Sequence, residues 1–241
     1  MTYSVLASDY DGTLALHGAV DEATVRSLYR WREAGRKLVL ITGREFEDTL
    51  QICSFIDAFD WVVTENGAML YHPATQTEKP LTQGPPQEFV EALRDRVYTA
   101  ARTNTAPLSE EMQRLKKAYP LVGQGRIIVS TWEPHSVEAR SLIEEMGLDL
   151  QIILNKGAVM MLPTGIDKAS GLAAAAQELE VELTEIVGVG DAENDLPFLN
   201  VCGYAVAVAN ALPEVQSQVD WVTHAERGAG VVELIDRLLN T

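Results

Sequence analysis

The sequence predicts a doubly wound α/β protein: a Rossmann-like parallel sheet with a smaller α+β unit inserted. Three observations carry this. Short apolar runs alternate with helix-length amphipathic segments over residues 3–71. The same alternation resumes from Asp167 and runs to the last residues. Between them lies a stretch of different composition and charge. The boundaries expected are 1–83 and 161–241 for the α/β core and 84–160 for the insert.

Taken in order, Val5-Leu6-Ala7 reads as a buried central strand ending at Asp9. Asp11 and Gly12 follow, and alternation in an extended chain would point Asp9 and Asp11 the same way. His17 and Gly18 mark a loop or hairpin. Asp21 can cap a helix through Val25, Leu28, Tyr29 and Arg32 that stops near Gly35. Lys37–Ile41 is a second buried strand leading to Thr42, Gly43 and Arg44. A helix with Phe46, Leu50 and Cys53 on one face comes next. Trp61–Thr64 is a third strand, and Asn66-Gly67 signals a tight turn back into a short strand over 68–71.

Residues 72–86 have a linker composition, rich in Pro, Thr, Gln and Gly. The insert should then hold a helix over 87–101, a short helical piece at 110–118, a strand at 125–131 and a helix at 136–146. Strands at 150–154 and 158–162 should be joined as a hairpin through Asn155-Lys156-Gly157. After Asp167 come an Ala-rich helix (168–180), a strand (186–189), a helix start at 193–200, a strand (204–208), a helix (212–218), a short strand from Trp221 and a closing helix over 231–239.

With 241 residues and 46% hydrophobic content, the chain can bury a sizeable core. No apolar stretch reaches membrane-span length, and no signal-peptide pattern opens the sequence, so no membrane partner is expected. Cys53 and Cys202 are far apart and read as buried inert thiols, which fits a cytoplasmic protein. The net charge of −16 disfavours a nucleic-acid partner, whose backbone calls for clustered Lys and Arg. That charge is uneven. Residues 84–160 hold nine Lys/Arg against ten Asp/Glu, whereas the remainder holds ten against twenty-five.

Four polar clusters fall at strand ends or helix starts, where open α/β sheets bind ligands. Asp9 and Asp11 are the first. Two carboxylates so close repel unless a cation or a proton-transfer role accounts for them, and Mg²⁺ suits such a pair. The EF-hand alternative fails on spacing, because Gly12 falls fourth from Asp9 and the twelfth position is Val20. Thr42-Gly43 offers a hydroxyl and free N–H groups to a phosphate. Lys168 stands at a helix start, where a cation opposes the helix dipole. Alone it reads as a solvated lysine, and in company as a fixed cation beside a phosphate. Asp191 through Asp195 read either as an acidic helix cap or as a further carboxylate ligand supported by Asn194 and Asp195.

In combination these clusters resemble the four motifs of the haloacid dehalogenase (HAD) superfamily of phosphohydrolases. The matching stretches are Asp9-Tyr-Asp11-Gly12-Thr13, Thr42 within Ile-Thr-Gly-Arg, Lys168 within Asp-Lys-Ala-Ser, and Asp191 through Asp195. The insert and Glu65-Asn66-Gly67-Ala68 are similar to the Cof-type subfamily (IIB, cap type C2B), which includes sucrose-phosphate and phosphoglycolate phosphatases and phosphomannomutases. The resemblance implies a Mg²⁺-dependent phosphatase acting on a small phosphorylated metabolite, a sugar phosphate or a phosphoglycolate-like ester. It implies Asp9 as nucleophile and Asp11 as general acid and base, with Thr42, Gly43, Arg44, Lys168 and Asn194 near the substrate. Metal ligands would be Asp9, the backbone carbonyl of Asp11, and Asp191, with Asp195 in support. The presence of Asp11 argues against the dehalogenase branch. A sugar phosphomutase on the same scaffold and a non-enzymatic binding or regulatory protein are the alternatives. A monomer or small homo-oligomer is expected. Arg126, Trp132, Asn155 and Lys156 are candidate contacts within the insert.

Overall fold

The computed structural model describes residues 3–103 and 120–240. The helical piece expected over 110–118 lies outside the described residues. The chain divides into two compact units, Met1–Leu81 with Ile166–Thr241, and Thr82–Gly165.

The first unit is built on an eight-stranded sheet of order β12-β11-β10-β1-β2-β3-β4-β5. Its parallel strands are β1 (Val5–Asp9), β2 (Lys37–Ile41), β3 (Trp61–Thr64), β10 (Ile186–Gly190), β11 (Tyr204–Ala207) and β12 (Trp221–Val222). β4 (Met69–His72) and β5 (Thr77–Pro80) add an antiparallel edge. β1 lies between β2 and β10, so the strand order reverses beside it. That reversal is the switch point at which such sheets open a crevice beyond their carboxyl ends.

The central strands are apolar at nearly every position because both faces are covered. Leu6, Leu38, Leu40, Val187, Val189 and Val206 pack on one side of the sheet, with Leu28 and Trp31 of the Glu22–Glu33 helix and Leu234 and Ile235 of the Arg227–Leu239 helix. Val5, Ala7, Val39, Ile41, Ile186 and Ala205 face the other side, against Leu172, Ala175 and Ala176 of the Lys168–Leu179 helix. The first helix starts where expected: the Asp21 carboxylate accepts from the Thr24 N–H at 2.8 Å.

Residues 77–80, inside the stretch read as linker, form the edge strand β5. Its exposed Thr77 and Glu78, half-buried Lys79 and terminal Pro80 are edge-strand chemistry, which carries no apolar alternation to read.

The second unit has a four-stranded antiparallel sheet of order β6-β7-β9-β8. Its strands are β6 (Val122–Gln124), β7 (Val129–Trp132), β8 (Leu150–Asn155) and β9 (Ala158–Pro163). Val129, Val159 and Met161 pack against Phe89, Leu93 and Val97 of the Gln87–Thr103 helix and Ala139 and Leu142 of the Ser136–Met146 helix. Of the strand expected at 125–131 only the last three residues are strand, in β7; residues 125–128 are the turn that joins β6 to it, in which the Gly125 N–H donates to the Ile128 carbonyl at 2.9 Å. The β8–β9 hairpin forms as read, its two-residue turn using Lys156 (φ 46°) and Gly157 (φ 88°), the left-handed pair such a turn requires.

Candidate active site

Asp9 is the last residue of β1 and is 5% exposed. The chain leaves the strand immediately after it. Leu14 and Ala15 N–H groups both return to the Tyr10 carbonyl, and Gly12 takes φ +89°. Asp11 is therefore not part of the strand, and its carboxylate is not paired with that of Asp9. Instead Arg44 holds it with two bonds, Nε to Oδ2 at 2.5 Å and Nη2 to Oδ1 at 2.8 Å. The same guanidinium reaches Asp48 at 2.5 Å.

Lys168, the first residue of its helix, is fully buried. Its Nζ donates to Asp9 Oδ1 and to Asp195 Oδ1, each at 2.6 Å. The helix dipole disfavours a lysine here, and two carboxylates outweigh that. Asp167 before it caps the helix from the Ser170 N–H at 2.9 Å, leaving the lysine side chain to turn inward.

Asp195 uses its other oxygen to accept the N–H groups of Asp191 and Ala192 at 2.8 and 2.9 Å, folding the loop after β10 into a tight turn. Asp191 is fully buried, and Thr13 Oγ1 donates to its Oδ1 at 3.1 Å. The loop after β1 and the loop after β10 thus meet at Asp191.

Asp9, Asp191 and Asp195 present carboxylate oxygens within 4.8 Å of one another. Burial, then Asp195 and Asp191, push the Asp9 carboxyl well above its ordinary range, with Lys168 opposing the shift. Burial works against the Lys168 charge, yet Asp195 and Asp9 prevail and hold its ammonium above the usual lysine range. Three buried carboxylates against one ammonium leave two negative charges, which a divalent cation would neutralise, and an all-oxygen donor set suits a hard one. The cluster fits such an ion.

Thr42 lies just past β2, buried, with its Oγ1 accepting from the Arg44 N–H at 3.2 Å. Asn194 Nδ2 donates to Asn66 Oδ1 at 3.0 Å, and the Asn66 N–H donates to the Thr42 carbonyl at 3.0 Å. The structure therefore brings Asp9, Lys168, Asp191, Asp195 and Asn194 into one cluster at the carboxyl ends of β1 and β10. Thr42 is linked to it through Asn66, while Asp11 and Arg44 form an adjoining pair. The sequence reading missed Asn66 as a functional position. Its signal was the Glu65-Asn66-Gly67 run directly after a buried strand, which the sequence offers as a tight turn and as part of the subfamily resemblance but not as a site. In the second unit, Trp132 and Asn155 both lie opposite Ala158, on one row of the sheet, whereas Arg126 and Lys156 stand in turns.

The fold and this cluster define a class: a doubly wound α/β enzyme whose polar centre sits at the carboxyl edge of its sheet. The family model for haloacid dehalogenase-like hydrolases matches residues 6–120 and 127–235, and the chain belongs to that family. Two archaeal relatives align over nearly all of it. Phosphoglycolate phosphatase 2 of Saccharolobus solfataricus is 30% identical, covering 98% of this chain and 92% of its own. Phosphoglycolate phosphatase of Methanothermobacter thermautotrophicus is 27% identical, covering 97% and 98%. Among solved structures, the HAD subclass IIB sugar phosphatase BT4131 superposes with a TM-score of 0.73 at 18% identity over 99% of this chain and all of that one. Thermoplasma acidophilum 0175 gives 0.76 at 17% identity over the whole of both. These two likenesses speak for the fold, that of a HAD core with an inserted cap.

Proposed function

We propose that this phosphatase hydrolyses a small phosphorylated metabolite, a sugar phosphate or a phosphoglycolate-like ester, with Mg²⁺ and through an aspartyl-phosphate on Asp9. The observation that carries the reading is the buried Asp9 carboxylate, held by Lys168 at the carboxyl end of the central strand with Asp191 and Asp195 beside it. The names of the full-length relatives supply the substrate class.

Asp9 is oriented by one oxygen on Lys168, leaving its second oxygen to attack phosphorus. Asp11, oriented by Arg44, gives a proton to the departing alkoxide and then takes one from the water that cleaves the acyl phosphate. The two half-reactions need opposite protonation states of one carboxyl group, so a single residue serves both. Lys168 and the Thr42 hydroxyl hold phosphoryl oxygens, Gly43 and Arg44 N–H groups lie beside them, and Asn194 braces the loop that carries Asp191. Asp9, the Asp11 carbonyl and Asp191 would hold Mg²⁺, with Asp195 fixing the loop behind. When bound, the ion neutralises charge on the carboxylates and on the transferring phosphoryl group.

Within this reading Thr82–Gly165 is the cap and the remainder the catalytic core. The two cysteines are unpaired, which supports a cytoplasmic setting. Among the described residues no helix is long and apolar enough to cross a membrane.

The test is phosphate release from a panel of sugar phosphates, phosphoglycolate, phosphoglycerates and nucleotides. Each is run with Mg²⁺, with EDTA, and with Asp9→Asn. Release that needs Mg²⁺ and disappears in the variant is expected. Release that survives Asp9→Asn overturns the reading, and isomerisation of a sugar phosphate only with a bisphosphate present would make the protein a mutase.

A further inference from the structure

The turn after β3 carries three consecutive residues at positive φ. Glu65, Asn66 and Gly67 take φ of 53°, 54° and 107° in succession. Glycine adopts such angles freely and asparagine tolerates them, but for glutamate they are costly. Glu65 and Asn66 are also fully buried. Strain of this kind persists where the surroundings over-determine it, and it clusters at functional sites.

The surroundings here are the parts of the active site. The Glu65 N–H donates to the Arg44 carbonyl at 2.8 Å, and the Asn66 N–H to the Thr42 carbonyl at 3.0 Å. Glu65 Oε1 accepts from the Phe46 N–H at 3.3 Å, at the start of the helix that follows. Asn66 Oδ1 accepts from Asn194 Nδ2 at 3.0 Å. Gly67 packs so closely on the chain before Lys168 that a Cβ there would stand 1.8 Å from the Asp167 carbonyl oxygen. Three consecutive residues thus touch the loop bearing Thr42 and Arg44, the loop bearing Asp191 and Asn194, and the start of the helix bearing Lys168.

We propose that Asn66 is a positioning residue for the phosphoryl chemistry: its main chain anchors Thr42 while its side chain tethers Asn194, setting the spacing of the two loops across Asp9. The inference rests on the phosphatase reading above. Neither Asn66 Nδ2 nor Asn194 Oδ1 has a hydrogen-bond partner among the described residues, so the one bond between the amides carries the tether.

Asn66→Gly keeps the left-handed backbone and the N–H to Thr42 and removes only the amide. Asn194→Ala removes the other end. Each variant is expected to lower kcat by roughly tenfold with KM within about threefold of wild type, and the double variant to fall no further than either single one. Asn66→Gly with kcat within about twofold of wild type, or losses that add in the double variant, would overturn the proposal. A merely structural role would lower the unfolding midpoint and leave kcat per folded molecule unchanged, which also overturns it. If wild-type release does not depend on Asp9, the phosphatase reading itself fails. The tether is then judged from the same four proteins in urea unfolding, where additive effects would dismiss it.

Discussion

A Cβ built on Gly12 would lie 2.2 Å from Asp191 Oδ2, and its φ of +89° is one that L side chains rarely adopt. Gly12 also offers its carbonyl to Asn210 Nδ2 at 2.8 Å, so the turn cannot simply swing away. Gly12→Ala should therefore push Asp191 off its bond with Thr13. Displacements of about 1 Å in such sites cost on the order of 10²-fold in rate, and that is the expected loss in kcat/KM. A kcat/KM within a few-fold of wild type would show that the loop has slack the contacts do not suggest. At this scale the sequence was partly legible. Asp9, Lys168, Asp191 and Asp195 fall together because each follows a buried strand or opens a helix. The Arg44–Asp11 pair was not legible, because residues 33 apart meet only through the register of β1 with β2. Likewise, alternation carried past Asp9 does not apply to Asp11, since the strand ends at Asp9 and Arg44 holds the Asp11 carboxylate.

Among the elements, the Lys168–Leu179 helix is seated closely on the sheet. It docks on β3 and on the turn after it through Gly171, where a Cβ would stand 2.4 Å from Val63 Cγ1 and 2.7 Å from Gly67 Cα. A glycine inside an exposed helix would gain about 0.5–1 kcal/mol on replacement by alanine. Here overpacking should reverse the sign and destabilise the protein by roughly 1–3 kcal/mol in urea unfolding. Because Lys168 rides on the same helix, phosphate release should fall as well. Stabilisation by Gly171→Ala would contradict the close packing. Element prediction from sequence was accurate where both sheet faces are covered, since β1, β2, β3 and β10 are unbroken apolar runs. It failed at β5, whose Thr, Glu and Lys carry no alternation, and at the β6–β7 turn, where Ile127 and Ile128 are buried without being in a strand. Burial in a turn and burial in a strand leave the same apolar signature.

For the molecule as a whole, the charge asymmetry read from the sequence coincides with the division of the fold. Thr82–Gly165 carries nine Lys/Arg against ten Asp/Glu, and nearly all of the net −16 belongs to the other unit. Self-repulsion of that size responds to any salt, but a buried carboxylate cluster responds to a divalent ion in particular. At matched ionic strength, MgCl₂ should therefore raise unfolding stability beyond NaCl, by about 2.7 kcal/mol at a hundredfold excess over the dissociation constant. The sign with pH follows from Asp9. Its folded carboxyl sits above the ordinary 3.8, so the metal-free protein binds more protons folded than unfolded and loses stability as pH rises through that window. A cation opposes this loss, so the Mg²⁺ increment should grow from acid to neutral pH. Asp191→Asn can still accept from Thr13, removes one buried negative charge and takes away a ligand. It should leave metal-free stability unchanged or higher while abolishing the increment. An increment equal to that of NaCl, or one that survives Asp191→Asn, would place any Mg²⁺ effect outside this cluster.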